Sequence, residues 1–173
     1  DGEVAWKHQT GGGVRGGVTA RHGVAYVGSQ DAHLYALDLR NGRPLWEFAA
    51  RKVIGCAPTV SQGLVLLGSY DGHVYAVDSQ RGTQVWTYAT HERVVGSPLV
   101  VGHLVIFGDL GGTVHGVGLN RGSCHWTYDA IGAVRSSPAE AGGGVYLGSL
   151  DGALHAVDAR TGEPRWVLAT EDA

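Results

Sequence analysis

The sequence contains no methionine, two phenylalanines and two cysteines among its 173 residues. The absence of methionine indicates that residue 1 is not the natural start of the chain. Cys56 and Cys124 stand far apart, so they form neither a disulfide framework nor a zinc motif, and we expect two free thiols. Charged residues make up only 17% of the chain and the net charge is −3. A nucleic-acid partner is therefore not expected, because no strong basic field would attract one.

Long apolar runs are also absent. No segment is long and apolar enough to span a bilayer, so no membrane span is predicted. No signal peptide is present in this chain either. A hydrophobic fraction of 43% nevertheless predicts a folded globular domain rather than a disordered chain.

The residues that are abundant recur at a fixed interval of forty positions. Glycine, with 29 copies, and tryptophan, with five, carry this period without insertion or deletion. The tryptophans are Trp6, Trp46, Trp86, Trp126 and Trp166. Such a period indicates a supersecondary unit that must stack on its neighbours to bury its apolar faces. We divide the single domain, residues 1–173, into repeats at 11–50, 51–90, 91–130 and 131–170, with residues 1–10 as an extra outer strand.

One repeat reads as four short strands. In the second repeat they are predicted over residues 54–60, 64–68, 73–78 and 85–89, and Asp71-Gly72 forms a hairpin turn between the second and third. Val74 and Ala76 point to one face of the third strand, and Tyr75 and Val77 to the other. Both faces are apolar, so each meander must lie between two others. This predicts an all-β protein, a β-propeller of four-stranded antiparallel blades with about sixteen or seventeen strands.

The fixed residues have structural interpretations. The aspartates accept backbone hydrogen bonds in the turn after the third strand, and the glycines that follow adopt positive φ. The tryptophans pack between adjacent sheets. The aspartates are Asp38, Asp78 and Asp158, and the glycines are Gly42, Gly82, Gly122 and Gly162.

The stretches "VGSQDAHLYALDLRNGRPLW", "LGSYDGHVYAVDSQRGTQVW" and "LGSLDGALHAVDARTGEPRW" resemble the repeats of the pyrroloquinoline-quinone-like (PQQ-like) β-propellers. The resemblance rests on the pattern Ala-x-Asp-x-x-x-Gly-x-x-x-Trp after a Gly-Ser-x-Asp-Gly turn, and it covers the whole chain. The family contains quinone-dependent dehydrogenases as well as non-catalytic propellers, among them an outer-membrane-protein assembly lipoprotein and sensor modules of bacterial Ser/Thr kinases. The resemblance implies an extracytoplasmic location, periplasmic or at the cell surface.

Within that family we favour a non-catalytic scaffold, sensor or protein-binding module without a cofactor, because no catalytic set breaks the repeat. The alternative is a PQQ-dependent alcohol or sugar dehydrogenase, or a fragment of one, holding the quinone with Ca²⁺. The family's adjacent cysteine pair is missing, and no cluster of oxygen ligands for Ca²⁺ stands out in the loops. No residue is assigned a catalytic role.

The loops that lead into each repeat vary most and carry most of the candidate binding residues. In a propeller these loops and the turn between the second and third strands emerge on one face, close to the axis. We predict that this rim receives a protein or small ligand with acidic groups. The alternative is that these are ordinary solvated loop charges. The rim residues are Arg15, Arg51, Lys52, His91, Arg93 and Arg135.

The third repeat departs from the pattern. Gly111 and Gly118 replace aspartates, and Cys124 and His125 precede Trp126. Two interpretations stay open, a specialised blade that binds something and drift in a tolerant scaffold. Among the nine histidines, His33 and His73 share a column of the repeat, as do His115 and His155. Residues of one column lie on different blades and do not converge, so no metal site is predicted.

Four repeats carry five copies of the tryptophan strand, whereas propellers of this family usually have six to eight blades. The chain is therefore expected to be part of a larger propeller or half of one. If 173 residues is the complete molecule, we predict a homodimer with eight blades in one ring.

Overall fold

The structure is a computed structural model that describes residues 2–170, and over that range it contains sixteen strands and no helix. Blade 1 consists of β1 (Val18–Arg21), β2 (Val24–Gly28), β3 (His33–Asp38) and β4 (Pro44–Ala49). Blade 2 consists of β5 (Thr59–Ser61), β6 (Leu64–Gly68), β7 (His73–Asp78) and β8 (Gln84–Ala89). Blade 3 consists of β9 (Leu99–Val101), β10 (Leu104–Gly108), β11 (Thr113–Gly118) and β12 (Cys124–Asp129). Blade 4 consists of β13 (Ala139–Ala141), β14 (Gly144–Ser149), β15 (Ala153–Asp158) and β16 (Pro164–Ala169).

Each blade is a separate sheet in which the four strands pair in chain order, all antiparallel. The first strands β1, β5, β9 and β13 contact one another in succession, so they line the inner side of the stack. The fourth strand of every blade carries a bulge one residue before its tryptophan, as where Ala76 pairs with Trp86 but Val77 pairs with Gln84. The predicted all-β fold with four-stranded blades is thus confirmed.

The turns follow from the side chains that close them. In the turn after β7, Asp78 Oδ1 accepts the N–H groups of Gln80 and Arg81 at 2.9 and 2.8 Å. Gly82 then adopts a φ of +69°, a value that costs a residue with a Cβ about 1–2 kcal/mol. Asp38 and Asp158 bind the N–H groups of Arg40 and Arg160 in the same way.

Side chains from the two faces of one strand enter different cores. Val74 and Ala76 pack with residues of blade 3, whereas Tyr75 and Val77 pack with residues of blade 1. All four side chains are buried. The core is therefore a series of layers between blades, and a blade on its own would leave both layers exposed.

The tryptophans of the first three blades, Trp46, Trp86 and Trp126, each join their own blade to the next one. The indole Nε1–H of Trp46 donates to Ser79 O at 3.1 Å, and that of Trp86 donates to Leu119 O at 2.7 Å. A Cβ on Gly82 would lie 2.7 Å from the Trp46 ring. Glycine is thus required in this turn twice, for its positive φ and for the close approach of the ring.

Residues 4–10, predicted to form an extra outer strand, form no strand in the structure. In each blade the tryptophan-bearing strand pairs with the third strand of the same blade. Residues 4–10 have no such third strand to pair with. Trp6 still occupies the position expected of the period, because its Nε1–H donates to Leu39 O at 2.8 Å and its ring lies against Gly42.

The opposite end of the stack is uncovered. The β16 strand is exposed along its whole length, and Trp166, Val167 and Leu168 are 44%, 53% and 58% exposed. The equivalent Trp86 and Trp126 are buried by the following blade. Blade 4 therefore presents the face that a further blade would cover.

The two thiols differ in their surroundings. Cys56 is buried between blades and exchanges hydrogen bonds with the backbone of Gly68, and this burial raises its pKa to about 11. Cys124 is exposed at the start of β12, and both cysteines are free.

Over residues 2–170 no helix is long and apolar enough to cross a membrane.

Candidate ligand-binding face

One end of the blades, which we call the axial face, collects the loops that lead into each blade and the turns between second and third strands. Backbone hydrogen bonds tie each incoming loop to two turns. In the loop before β5, Val53 O accepts from Tyr70 N of the same blade at 2.9 Å, and Ile54 N donates to Ser29 O of blade 1 at 3.1 Å. The pattern recurs at Arg93 and Val94. Side chains on these loops are thus carried by a hydrogen-bonded backbone.

Two adjoining depressions of about 340 Å³ each lie on this face. Lys52, Tyr70 and Arg93 line the first, together with Asp31. Tyr70 and Arg93 also line the second, where Arg135 joins them. Leu110 and Val95 complete the lining of the second.

Tyr70 and Arg93 form the ridge that the depressions share. The Arg93 guanidinium carbon lies 5.7 Å from the centre of the Tyr70 ring, within the range of a cation–π contact. The exposed Arg93 guanidinium forms no hydrogen bond or ion pair with the described residues. The ridge therefore offers an aromatic surface and an available cation side by side.

Of the six predicted rim residues, the structure brings three to these depressions: Lys52, Arg93 and Arg135. Arg15, Arg51 and His91 are exposed in the same set of loops but line neither depression. His91 has a φ of +70° at the first position of its loop, and the backbone N–H of Arg51 donates to Asp71 Oδ2 at 3.1 Å.

Sequence reasoning missed the residue at the tip of each turn. Tyr70 shares its column with Gln30, Leu110 and Leu150, so apolar and aromatic side chains stand where three of four blades meet solvent. Leu150 is 64% exposed. In the sequence this residue is the variable x of the Gly-Ser-x-Asp-Gly turn. The position looks unimportant because its residue type changes from blade to blade.

Beneath the axial face, a carboxylate in each blade holds a ring buried between blades. The Tyr35 hydroxyl donates to Asp31 Oδ2 at 2.7 Å, and the Tyr75 hydroxyl donates to Asp71 Oδ2 at 2.8 Å. Burial and then the bond to Asp71 raise the pKa of Tyr75 to about 12. Burial also opposes ionisation of Asp31, but hydrogen bonds from Tyr35 and the His33 N–H outweigh it and lower the pKa of Asp31.

In blades 3 and 4 a histidine replaces the tyrosine and gains a second partner. His155 Nε2 lies 3.0 Å from Asp151 Oδ2, and its Nδ1 lies 2.8 Å from the hydroxyl of Tyr128 on blade 3. The aromatic residue that faces this ring from the preceding blade also differs: Tyr75 faces Phe48, whereas His155 faces Tyr128. The imidazole has two polar atoms to satisfy, and the second phenol supplies the partner for one of them.

The third repeat moves its carboxylate rather than losing it. Gly111 replaces the usual aspartate, but Asp109 stands where the other blades have serine. Asp109 Oδ2 lies 3.0 Å from His115 Nε2, and its Oδ1 accepts from the N–H groups of Gly111 and Thr113. The departure at Gly111 is therefore compensated within the same turn. At the other end of the blade, Gly118 makes room for His125.

These carboxylates leave little for a cation to bind. Among residues 2–170 no group of three or more His, Cys, Asp or Glu side chains is arranged to hold a metal ion. The aspartates nearest the axial face are engaged by their own turns and by tyrosine or histidine. The donor set thus does not fit a calcium ion, which takes six to eight oxygen ligands.

Comparison with known proteins gives a consistent result. The family described as outer membrane protein assembly factor BamB matches residues 1–128 and residues 111–173, which together span the chain. A comparison with curated protein sequences gives no match.

Among solved structures, BamB from Moraxella catarrhalis is similar with 26% identity and a TM-score of 0.85 over 96% of this chain. The chain spans 53% of the length of that structure. The quinohemoprotein alcohol dehydrogenase ADHIIG from Pseudomonas putida HK5 is similar with a TM-score of 0.87 at 20% identity, covering 96% of this chain and 36% of that one. The computationally designed Ika4 protein is similar with a TM-score of 0.80 at 14% identity, covering 99% of this chain and all of that one. The latter two likenesses show the fold alone.

Proposed function

Because the chain belongs to the PQQ-like propeller family described as outer membrane protein assembly factor BamB, we propose that it is a non-catalytic binding module. Its axial face receives an extended acidic segment of a partner protein. The observation that carries the proposal is the pair of adjoining depressions that share Tyr70 and Arg93. The module acts in an extracytoplasmic compartment, as the name of the matching family suggests.

The charge of the two depressions selects the partner. Lys52, Arg93 and Arg135 contribute three cations, and the single carboxylate in the lining, Asp31, already accepts from Tyr35 and the His33 N–H. The protein as a whole is acidic, with a net charge of −3. A local positive surface on an acidic protein attracts a partner with carboxylates and orients it during encounter.

The apolar residues between the cations select an extended chain with alternating side chains. Tyr70 and Leu110 lie on consecutive blades, and cations flank them: Tyr70 lines both depressions and Leu110 lines the second. In an extended peptide, side chains two residues apart point the same way. Apolar side chains on one side of such a peptide can enter the depressions while carboxylates approach the rim.

The dehydrogenase alternative is supported by the fold likeness to quinone-dependent enzymes, and the cationic depressions could also accept the carboxylates of the quinone. Against it stands the donor set of the described residues, which does not fit the Ca²⁺ that would accompany the quinone. The kinase-attached sensor is also less well supported than an assembly module, since the matching family and the 26%-identical structure are both assembly factors.

The test is a titration with the fluorescein-labelled peptide Glu-Leu-Glu-Leu-Glu-Leu-Glu, read by anisotropy. Replacing Lys52, Arg93 and Arg135 by glutamine is expected to weaken binding at least tenfold, because three rim cations of ~0.5 kcal/mol each sum to about 1.5 kcal/mol. The slope of affinity against salt should also fall. The matched control replaces Arg43, Arg121 and Arg160, exposed arginines in turns at the other end of the blades, and should bind as the wild type does. Equal loss in both triple variants, or in neither, would refute the axial site.

For assembly we propose a homodimer of the 173-residue chain with eight blades in one ring. The exposed Trp166 face of one chain would cover blade 1 of the other and take the place that Trp6 occupies against Gly42. Large apolar faces are rarely left bare on a soluble monomer.

Light scattering at micromolar concentration is expected to give about twice the 18.1 kDa chain mass. A variant without residues 1–10 should dimerise more tightly, because Trp166 then has no competitor at Gly42. A stable monomer for both forms would show that no second copy covers this face.

A further inference from the structure

A cleft of about 680 Å³ separates blades 1 and 2 at the end opposite the axial face. It runs from the β1–β2 turn, at Arg21 and His22, past Tyr26 and Trp46 to Ser79 and Gln80 of blade 2. None of these residues belongs to the axial face, so the cleft is separate from the proposed partner site. Its volume lies within the ~300–1,000 Å³ typical of sites for small organic ligands.

The cleft exists because of one small residue. Ser79 shares its column with Leu119 and Ala159. At the blade 2–3 junction Leu119 is 1% exposed and packs with Leu66 and Trp86, which fills the equivalent space. At the blade 3–4 junction, where Ala159 stands, the corresponding depression measures about 350 Å³. The space is therefore filled where leucine stands at this position and open where alanine or serine stands.

Serine also puts a polar group where its counterparts have methyl groups. Three further polar side chains line the cleft, those of Ser61, Gln80 and Arg21, and within residues 2–170 none of them forms a hydrogen bond or ion pair with the protein. They are exposed or half-buried, so water hydrates them in the free protein and a polar ligand can replace that water. The other walls are apolar and aromatic, with Tyr26 and Trp46 5.8 Å apart between ring centres.

The lining includes Arg21 and His22 but neither aspartate nor glutamate. A carboxylate is thus the charge that the cleft can bind, since a guanidinium without an acidic neighbour pairs well with a planar anion. The aromatic and aliphatic walls suit a flat apolar ring. We propose that the cleft between blades 1 and 2 binds a small aromatic carboxylate, with the ring between Tyr26, Leu45 and Val60 and the carboxylate at Arg21.

The test uses 2-naphthoate as the probe and 2-naphthol as its neutral counterpart, both titrated by calorimetry. Ser79→Leu should weaken 2-naphthoate binding at least tenfold, because leucine fills the cleft as Leu119 does at the next junction. The variant is expected to fold, since the Trp86 Nε1–H donates to Leu119 O at 2.7 Å as Trp46 does to Ser79 O. Arg21→Gln should lower the affinity for 2-naphthoate about tenfold and leave that for 2-naphthol unchanged.

The control variants are Ala159→Leu, which fills the smaller depression, and Arg43→Gln, which removes an exposed arginine outside the lining. Both should bind 2-naphthoate as the wild type does. Unchanged binding in Ser79→Leu, with its denaturant midpoint near that of the wild type, would overturn the proposal. So would the absence of binding by the wild type at millimolar 2-naphthoate. Peptide binding at the axial face is measured on the same variants, so failure of one site is distinguishable from failure of the other.

Discussion

Alanine at Gly82 is expected to lower the free energy of unfolding by about 3 kcal/mol or more, whereas alanine at Gly63 lowers it by only about 1 kcal/mol. Both glycines have positive φ, +69° and +79°, so both substitutions carry the same backbone strain. They differ in surroundings. A Cβ at Gly82 would lie 2.7 Å from the Trp46 ring, and one at Gly63 would meet nothing within 4 Å.

The difference between the two variants therefore isolates the packing of tryptophan on the neighbouring blade. Urea unfolding followed by tryptophan fluorescence measures it directly. A second readout is the tryptophan emission of the folded protein, which should shift in the Gly82 variant and not in the Gly63 variant because only the former displaces the Trp46 ring from its contact with the turn. Equal losses at Gly82 and Gly63 would mean that the contact does not join the blades, and the account of how successive repeats are held together would fail.

Serine at Asp109 is expected to destabilise the protein by about 3 kcal/mol, and aspartate at Gly111 should restore much of that loss in the double variant. Asp109 is 2% exposed and its loss leaves His115 and the N–H groups of Gly111 and Thr113 without their acceptor. Blade 4 shows that the restored arrangement works, because there a carboxylate in the column of Gly111, Asp151, binds His155 at 3.0 Å.

The turn has room for an aspartate side chain at position 111 once Asp109 is replaced by serine. A Cβ on Gly111 would lie 3.0 Å from Cγ of the exposed Glu92 and 3.2 Å from the Asp109 carboxylate that the serine removes. Aspartate at position 111 alone should destabilise, since two carboxylates would then compete for one imidazole. A double-mutant cycle by chemical denaturation should give a coupling energy of about 2 kcal/mol. Additive losses would show that the third blade did not simply move its carboxylate.

Much of the fold was predictable because the period ties local and tertiary structure together. An apolar strand such as residues 64–68 could not be placed by its own pattern alone, but four copies with turns at fixed spacing leave a propeller as the simplest packing. The predicted bounds of β6 and β7 agree with the structure, and β8 begins one residue earlier than predicted. The first strand begins later, at Thr59, because the preceding loop bonds to two turns instead of a neighbouring strand.

Features that depend on what surrounds a residue could not be read from the period. Residues 4–10 carry the tryptophan pattern yet form no strand, since the pattern does not record whether a pairing partner is present. Gly111 looked like the loss of a carboxylate until the distance between Asp109 and His115 was known. The roles proposed for Tyr70 and Ser79 depend on which residues face them on the neighbouring blade. A single sequence shows which positions repeat, but it does not show which of these positions contact each other between blades.

The rim residues were placed in part. The sequence located the loops, because variability within a repeat marks exposed segments, and three of the six predicted rim residues line the axial depressions. The other three rim residues differ from these in the direction of their side chains. Arg15, Arg51 and His91 lie in the same loops but are not part of either lining, a distinction that depends on local backbone angles such as the positive φ of His91.

The most direct test of the central claim, that this propeller binds and does not catalyse, is a turnover measurement after quinone loading. The protein is incubated with pyrroloquinoline quinone and Ca²⁺, passed through a desalting column, and assayed for dye-linked oxidation of primary alcohols and aldose sugars. A quinone-dependent alcohol dehydrogenase serves as the positive control for loading. No turnover above the protein-free control is expected, because the described carboxylates are engaged within their own turns and leave no ligand set for the Ca²⁺ that would activate the quinone. Turnover that survives the column and scales with protein concentration would contradict it.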